Sequence, residues 1–243
     1  MDPLLGNRCV LGERLGGGSL GEVYAGTDED GREFAVKLLR AELIGNTGDL
    51  ARLLREQSAL LGLTQPNLVT LHNVVVDDET VALVLDRVPG GALSTTTARP
   101  PAEVARIAAG IAAALATVHD AGVAHGDVKP ANVLMDGSGA VPSPRLTDAG
   151  VSRLAPPSPP TASMYSAPEI LAGGGPTPAT DLYSLGVVTY ELCRGGGFAR
   201  DIPDALRDVL RLLLSTDPSA RPAAERIAAA LAALAPPLTH LSR

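Results

Sequence analysis

The sequence predicts an α+β chain in two unequal parts: a small antiparallel sheet carrying one main helix, then a mainly helical body. Three observations predict it. Residues 8–38 and 68–85 alternate apolar and polar positions between glycine and Asp-Gly turns, the pattern of half-buried strands. Beyond Pro101, apolar residues recur at helical spacing. Between the two regions, Asp86-Arg87-Val88-Pro89-Gly90-Gly91 shifts abruptly to Gly and Pro, which marks a connector. The expected division is residues 1–85, a connector at 86–91, and residues 92–243.

The elements follow in order. Residues 11–15 lead into Gly16-Gly17-Gly18-Ser19-Leu20-Gly21, and Glu22-Val23-Tyr24-Ala25 resumes the strand pattern. Asp30-Gly31 is a hairpin signal, and Glu33-Phe34-Ala35-Val36-Lys37-Leu38 is the next strand. From Asp49 to Leu63 the spacing of Leu50, Leu53, Leu54, Leu60 and Leu61 predicts a helix ended by Pro66. Two strands follow, at 68–76 and 80–85, joined by Asp77-Asp78-Glu79. Val104, Ile107, Ile111, Leu115 and Val118 predict a helix after Pro101, with Gly122 just past its end. Residues 133–135 and 145–147 read as short strands around a turn at 137–139. The proline-rich run 155–161 has no helix or ladder open to it. Helices are expected at 182–192, 204–214 and 223–234, the last stopped by Pro236-Pro237.

Composition narrows the function. The chain has 243 residues, 20 Lys+Arg against 27 Asp+Glu and a net charge of −7, which leaves no basic footprint for nucleic acid. No run approaches the length of a membrane span, and the N-terminus lacks a basic-then-apolar leader pattern. Cys9 and Cys193 are too few for a disulfide framework, and no Cys/His group has zinc-ligand spacing. His72, His119 and His240 read as surface or satisfied core residues. These features predict a soluble, cytoplasmic protein.

The chemistry concentrates in His125-Gly126-Asp127-Val128-Lys129-Pro130-Ala131-Asn132, a loop between a helix and a strand. One carboxylate, one ammonium and one amide at short fixed offsets suit phosphoryl transfer. Asp127 can orient and deprotonate a hydroxyl, Lys129 can neutralise the transferred group, and Asn132 can hold a metal ion. The same octet also reads as a plain polar loop stiffened by Pro130. The glycine-rich turn at 16–21 lets backbone N–H groups approach a polyphosphate without a Cβ in the way, or is simply a hairpin tip. Because Val23-Tyr24 continues as strand, it is neither a Walker nor a dinucleotide loop.

The octet resembles the catalytic loop of protein kinases, and the order of the remaining motifs extends that resemblance over about residues 8–234. The nearest likeness is to bacterial Ser/Thr protein kinases of the eukaryotic-like type, and it implies a bilobal kinase fold. It also implies that Gly16, Gly18, Gly21 and Val23 cover the phosphates of ATP, and that Lys37 reaches them, paired with Glu56. Adenine would lie between Val23 and Ala35 above and Leu134 below, with Leu85 guarding the back. The backbone of Asp86 and Val88 would meet its edge. Thr147-Asp148-Ala149-Gly150 resembles the D-F-G element, so Asp148 and Asn132 would hold Mg2+, or Mn2+ in its place. Ala167-Pro168-Glu169 implies an ion pair of Glu169 with Arg221. Asp181 resembles the residue that caps the central helix and bonds the catalytic-loop backbone. Lys129 favours Ser/Thr hydroxyls of a protein substrate.

Four departures stand out. Gly126 replaces the arginine that receives an activating phosphate. Ala149 replaces the D-F-G phenylalanine, so a cavity or collapsed neighbours and a loosely held helix are expected, open to an activating protein partner. Ala162 stands where a threonine is usual, beside Thr161. The stretch between Glu191 and Pro203 is short for a substrate-docking helix. Small-molecule phosphotransfer and a non-catalytic binding module are the alternative readings. Lys129-Pro130 and Ala167-Pro168-Glu169 weigh against the first, and the joint presence of Lys37, Glu56, Asp127, Asn132 and Asp148 against the second.

Overall fold

The computed structural model describes residues 4–5, 9–40, 47–77, 80–151, 163–195 and 202–235. The first part is a six-stranded antiparallel sheet in the order β1-β2-β3-β4-β6-β5. The strands are β1 (Leu4–Leu5), β2 (Cys9–Gly18), β3 (Gly21–Asp28), β4 (Glu33–Leu39), β5 (Leu71–Asp77) and β6 (Thr80–Asp86). At the glycine-rich tip Gly18 pairs with Gly21. The β3–β4 turn is fastened by Asp28, whose carboxylate accepts from the Asp30 and Arg32 N–H groups. Central β6 buries Val81 to Leu85.

Helix α1 (Thr47–Leu60) packs against β5 and buries Leu53, Gln57 and Leu60, a stripe at i, i+4 and i+7. It stops short of the Leu63 and Pro66 that the pattern suggested. Gly62 takes φ +72°, a left-handed step that closes helices cheaply when no Cβ is present.

The second part comprises α2 (Pro101–Asp120), the hairpin β7 (Val133–Asp136) and β8 (Ser143–Leu146), a single turn α3 (Pro168–Leu171), α4 (Pro178–Arg194), α5 (Asp204–Leu213) and α6 (Ala224–Leu234). α2 packs against α4, α6 and β8. Its 20 residues include an 18-residue stretch long and apolar enough to cross a membrane, contrary to the expectation that no run is. More than half of that apolar stretch is buried inside this fold. α4 starts at a reciprocal cap: Thr177 Oγ1 accepts from Thr180 N, and Thr180 Oγ1 accepts from Thr177 N. Thr177, not Asp181, is therefore the cap of the central helix.

The β7–β8 hairpin bolts the two parts together. Val69 N donates to Leu146 O, Leu146 N to Asn67 O, and Asn67 Nδ2 to Pro144 O. One hydrophobic core runs through both parts, from Leu20 and Leu39 to Leu231. Cys9, Leu11, Val36 and Ala82 form a smaller cluster. The proline-rich run, Asp78-Glu79, Ala162, the stretch 196–201 and Pro236-Pro237 lie outside the described residues.

Candidate active site

A cleft of about 670 Å³ opens between the sheet and the helical part. Gly16, Gly18, Gly21, Val23, Ala35 and Lys37 roof it, Leu85, Asp86 and Val88 back it, and Asp127, Lys129, Asn132, Leu134 and Asp148 floor it. Strand alternation explains the roof, since Ala35 and Lys37 share one face of β4 and Val23 pairs with Lys37 across the ladder. A Cβ built on Gly16 or Gly18 would meet no protein atom within 4 Å, so the space beside them belongs to the cleft.

The floor is a dense polar lattice. Lys129 Nζ lies 2.6 Å from Asp127 Oδ2, and Asn132 Nδ2 donates to Asp127 O at 2.8 Å and Oδ2 at 2.9 Å. Asp181 is 1% exposed and holds the loop backbone from below. Its carboxylate accepts from His125 N and Gly126 N, both at 2.8 Å, and bonds His119 Nε2 at 2.9 Å. Gly126 sits at φ +81°, where side-chain-bearing residues are strained.

The Asp148 segment is pinned from several sides. Asp148 itself is at φ +66°, the one non-glycine residue with positive φ among the described residues. Lys37 Nζ lies 2.5 Å from its Oδ2, with both side chains largely buried. Asp127 N donates to His125 Nδ1 at 3.2 Å, which leaves the His125 Nε2–H to donate to Thr147 O at 2.8 Å. Gly150 N donates back to His125 O at 3.1 Å. Gln57 Nε2 donates to Ala149 O at 2.9 Å.

Glu56 departs from expectation. It does not line the cleft, and its carboxylate is not paired with Lys37, whose reach is taken up by the nearer Asp148. Glu56 Oε2 instead faces Gly150, 3.2 Å from where a Cβ would stand. Around Ala149 the neighbours have closed in. Gln57, Leu60, Leu71, Leu83 and Leu146 bound a residual cavity of about 20 Å³, in keeping with the close packing of interiors. The helix expected to be loose is tied to this segment through Gln57.

One triad and two pairs complete the frame. The Asp86 carboxylate bonds His72 Nε2 and Arg145 Nη2, each at 2.6 Å. Burial alone would raise its pKa, but the bonds from His72 and Arg145 outweigh that and hold it low. Its N–H donates to Thr70 O. Arg221 grips Glu169 with Nη1 to Oε1 at 2.6 Å and Nη2 to Oε2 at 3.0 Å, and this bond lowers the Glu169 pKa. Tyr165 OH donates to Glu191 Oε2 at 2.6 Å, and burial together with that carboxylate raises the phenol pKa.

The donor set fits a hard divalent cation and a polyphosphate. Asn132 uses its Nδ2 on Asp127, which leaves Oδ1 as an acceptor for Mg2+ or Mn2+, and the Asp148 carboxylate lines the same cleft. Val69 also lines the cleft and carries no motif that would announce it, and Arg87 and Thr147 line it from within the connector and the Asp148 motif without having been singled out. Gln57 was missed too, although an amide on the apolar stripe between Leu53 and Leu60 was a readable signal.

Residues 9–200 match the family described as protein kinase domain. Serine/threonine-protein kinase PkaA of Streptomyces coelicolor is 35% identical over 95% of this chain and 50% of that protein. PkaB of the same organism is 36% identical over 98% and 66%. The chain thus spans about half to two thirds of these curated relatives. The crystal structure of the Mycobacterium tuberculosis PknI kinase domain superposes with a TM-score of 0.75 at 25% identity, covering 93% of this chain and 96% of that one.

Proposed function

Since the chain belongs to the protein kinase domain family, we propose that it transfers the γ-phosphoryl group of ATP, with Mg2+ or Mn2+, to Ser/Thr hydroxyls of a protein substrate. One observation carries this reading: Lys37, Asp127, Lys129, Asn132 and Asp148 line a single cleft under a glycine roof. On this reading residues 1–85 cover the nucleotide, 86–91 are the hinge, and 92–243 carry the catalytic loop and substrate side. An ATP-consuming domain with two free, buried cysteines fits the cytoplasm.

The geometry supports a role for each residue. Asp127 Oδ2 already receives Lys129 Nζ and Asn132 Nδ2, so Oδ1 is the oxygen that orients the acceptor hydroxyl and takes its proton. Lys129, beside it, offsets charge on the moving phosphoryl group. Lys37 holds the non-transferred phosphates, and Leu85, Val23, Ala35 and Leu134 enclose the base in apolar surface. Asp148 and Asn132 would hold the divalent cation, which when bound would supply charge neutralisation at the phosphates. The grip of Arg221 on Glu169, a protein-kinase feature, favours a protein acceptor over a small molecule.

The test is transfer of radiolabelled phosphate from ATP to candidate proteins and to small hydroxylated metabolites. Label on protein Ser/Thr, lost in Asp127→Asn, is the expected result. Label on metabolites alone, or none on any acceptor, would overturn it.

A further inference from the structure

We propose that Gln57 is a positioning residue for Asp148, tying α1 to the metal-binding segment by one buried hydrogen bond where position 149 lacks a large side chain. The role rests on the reading of Asp148 as a cation ligand. Gln57 is 3% exposed and lies on the apolar stripe of α1, where a leucine would fit without desolvation cost. A buried amide is tolerated only when its polar atoms find partners. Its Nε2 donates at 2.9 Å to the carbonyl of Ala149.

That carbonyl belongs to the residue directly after Asp148, whose left-handed backbone persists only where its surroundings over-determine it. His125 fixes the two flanks, at Thr147 O and Gly150 N, and Gln57 fixes the carbonyl between them. The Ala149 methyl leaves a cavity of about 20 Å³ and cannot lock the segment by shape. A directional bond from α1 therefore does what bulk does not. It also couples α1 to the cation site, because rotation or withdrawal of the helix pulls the Ala149 carbonyl with it.

The test uses the full chain with Gln57→Leu, which keeps volume and removes the donor, and Gln57→Glu, which keeps shape. Three quantities are read: amide hydrogen exchange at residues 148–151 without ligand, the Mg2+ concentration that half-saturates nucleotide binding, and Tm. A lost intramolecular hydrogen bond corresponds to roughly a 3–10-fold change. Gln57→Leu is expected to speed exchange and raise the half-saturating Mg2+ by that factor, with metal-independent nucleotide binding unchanged. In Gln57→Glu the neutral acid can still donate to Ala149 O and the carboxylate cannot. Its defect relative to wild type should therefore shrink as pH is lowered from about 8 to about 6, burial raising the acid's pKa.

A merely structural role would lower Tm without moving the Mg2+ requirement, and that outcome overturns the proposal. So does a Gln57→Glu defect that is equal at both pH values, which remains decisive if Gln57→Leu does not fold. Failure of wild type to bind Mg2+-nucleotide would instead sink the functional reading, while exchange at 148–151 still decides whether Gln57 holds the segment.

Discussion

Lys37 Nζ rests 2.5 Å from Asp148 Oδ2, an ammonium of the sheet set on a carboxylate of the helical part. The two groups proposed to hold phosphate and cation thus neutralise each other across the cleft. Losing one positioned charge at a reacting phosphoryl group typically costs about 10²–10³-fold in rate. Lys37→Met is expected to lower kcat by that order, and Asp148→Asn to abolish Mg2+-dependent nucleotide binding. Turnover and nucleotide titrations with and without Mg2+ check both; unchanged values in both variants would remove these residues from the site.

Asp127 separates chemistry from binding. A positioned general base contributes about 10²–10⁴-fold. Asp127→Asn is expected to lower kcat by that factor while the nucleotide Kd stays at the wild-type value. A weakened Kd with normal kcat would assign Asp127 to binding instead.

Gly126 bears on control. No guanidinium stands at this position to pair with a phosphate, so activity is expected to be independent of phosphorylation at Ser163, and at Ser158 and Thr161, which lie outside the described residues. Phosphatase treatment and the triple alanine variant test this, and a large loss in both refutes it. Installing the side chain should be costly as well. At φ +81° a non-glycine residue costs about 1–2 kcal/mol, so Gly126→Arg is expected to lower Tm by about 2–8 °C.

Glu169 gives a pH signature. Its carboxyl titrates below its ordinary value because of the Arg221 bond. A depressed folded-state pKa stabilises the fold above the unfolded value, near about 4.3, and that contribution is lost as pH falls through the folded value. Glu169→Gln leaves Arg221, with a fully buried side chain, uncompensated. The loss should be about 3 kcal/mol near neutrality, the low end for a broken buried pair because Glu169 is partly exposed. Denaturation at about pH 7 and about pH 3 should show a large gap that narrows in acid. A gap of constant size would deny the pair its role.

Much of this architecture was legible beforehand because the period of the pattern carried it. Val104, Ile107, Ile111, Leu115 and Val118 announced α2, and Asp30-Gly31 announced the β3–β4 turn. The motif residues of the cleft were legible because short local offsets fix the loop that holds Asp127, Lys129 and Asn132 together. What failed was partner choice. Glu56 and Asp148 both compete for Lys37, and only distances in the folded chain decide between them. The Asp86, His72 and Arg145 cluster was hidden for the same reason, its members lying 14 and 59 positions apart. α1 ended early because a local left-handed step at Gly62 came before the more conspicuous Pro66.

The bolts between sheet and hairpin have a mechanical consequence. Asn67 and Val69 are stitched to β8 on one side, and Asp86 is clamped to Arg145 of the same strand. Two anchorages on one short strand define a fulcrum, and displacement about a fulcrum grows with distance from it. The sheet therefore behaves as a lever whose short arm is β5–β6 and whose long arm ends at the glycine tip between β2 and β3. A small tilt at β8 would become a wide sweep at the glycine tip, while the strand that leads to Asp148 would stay nearly still.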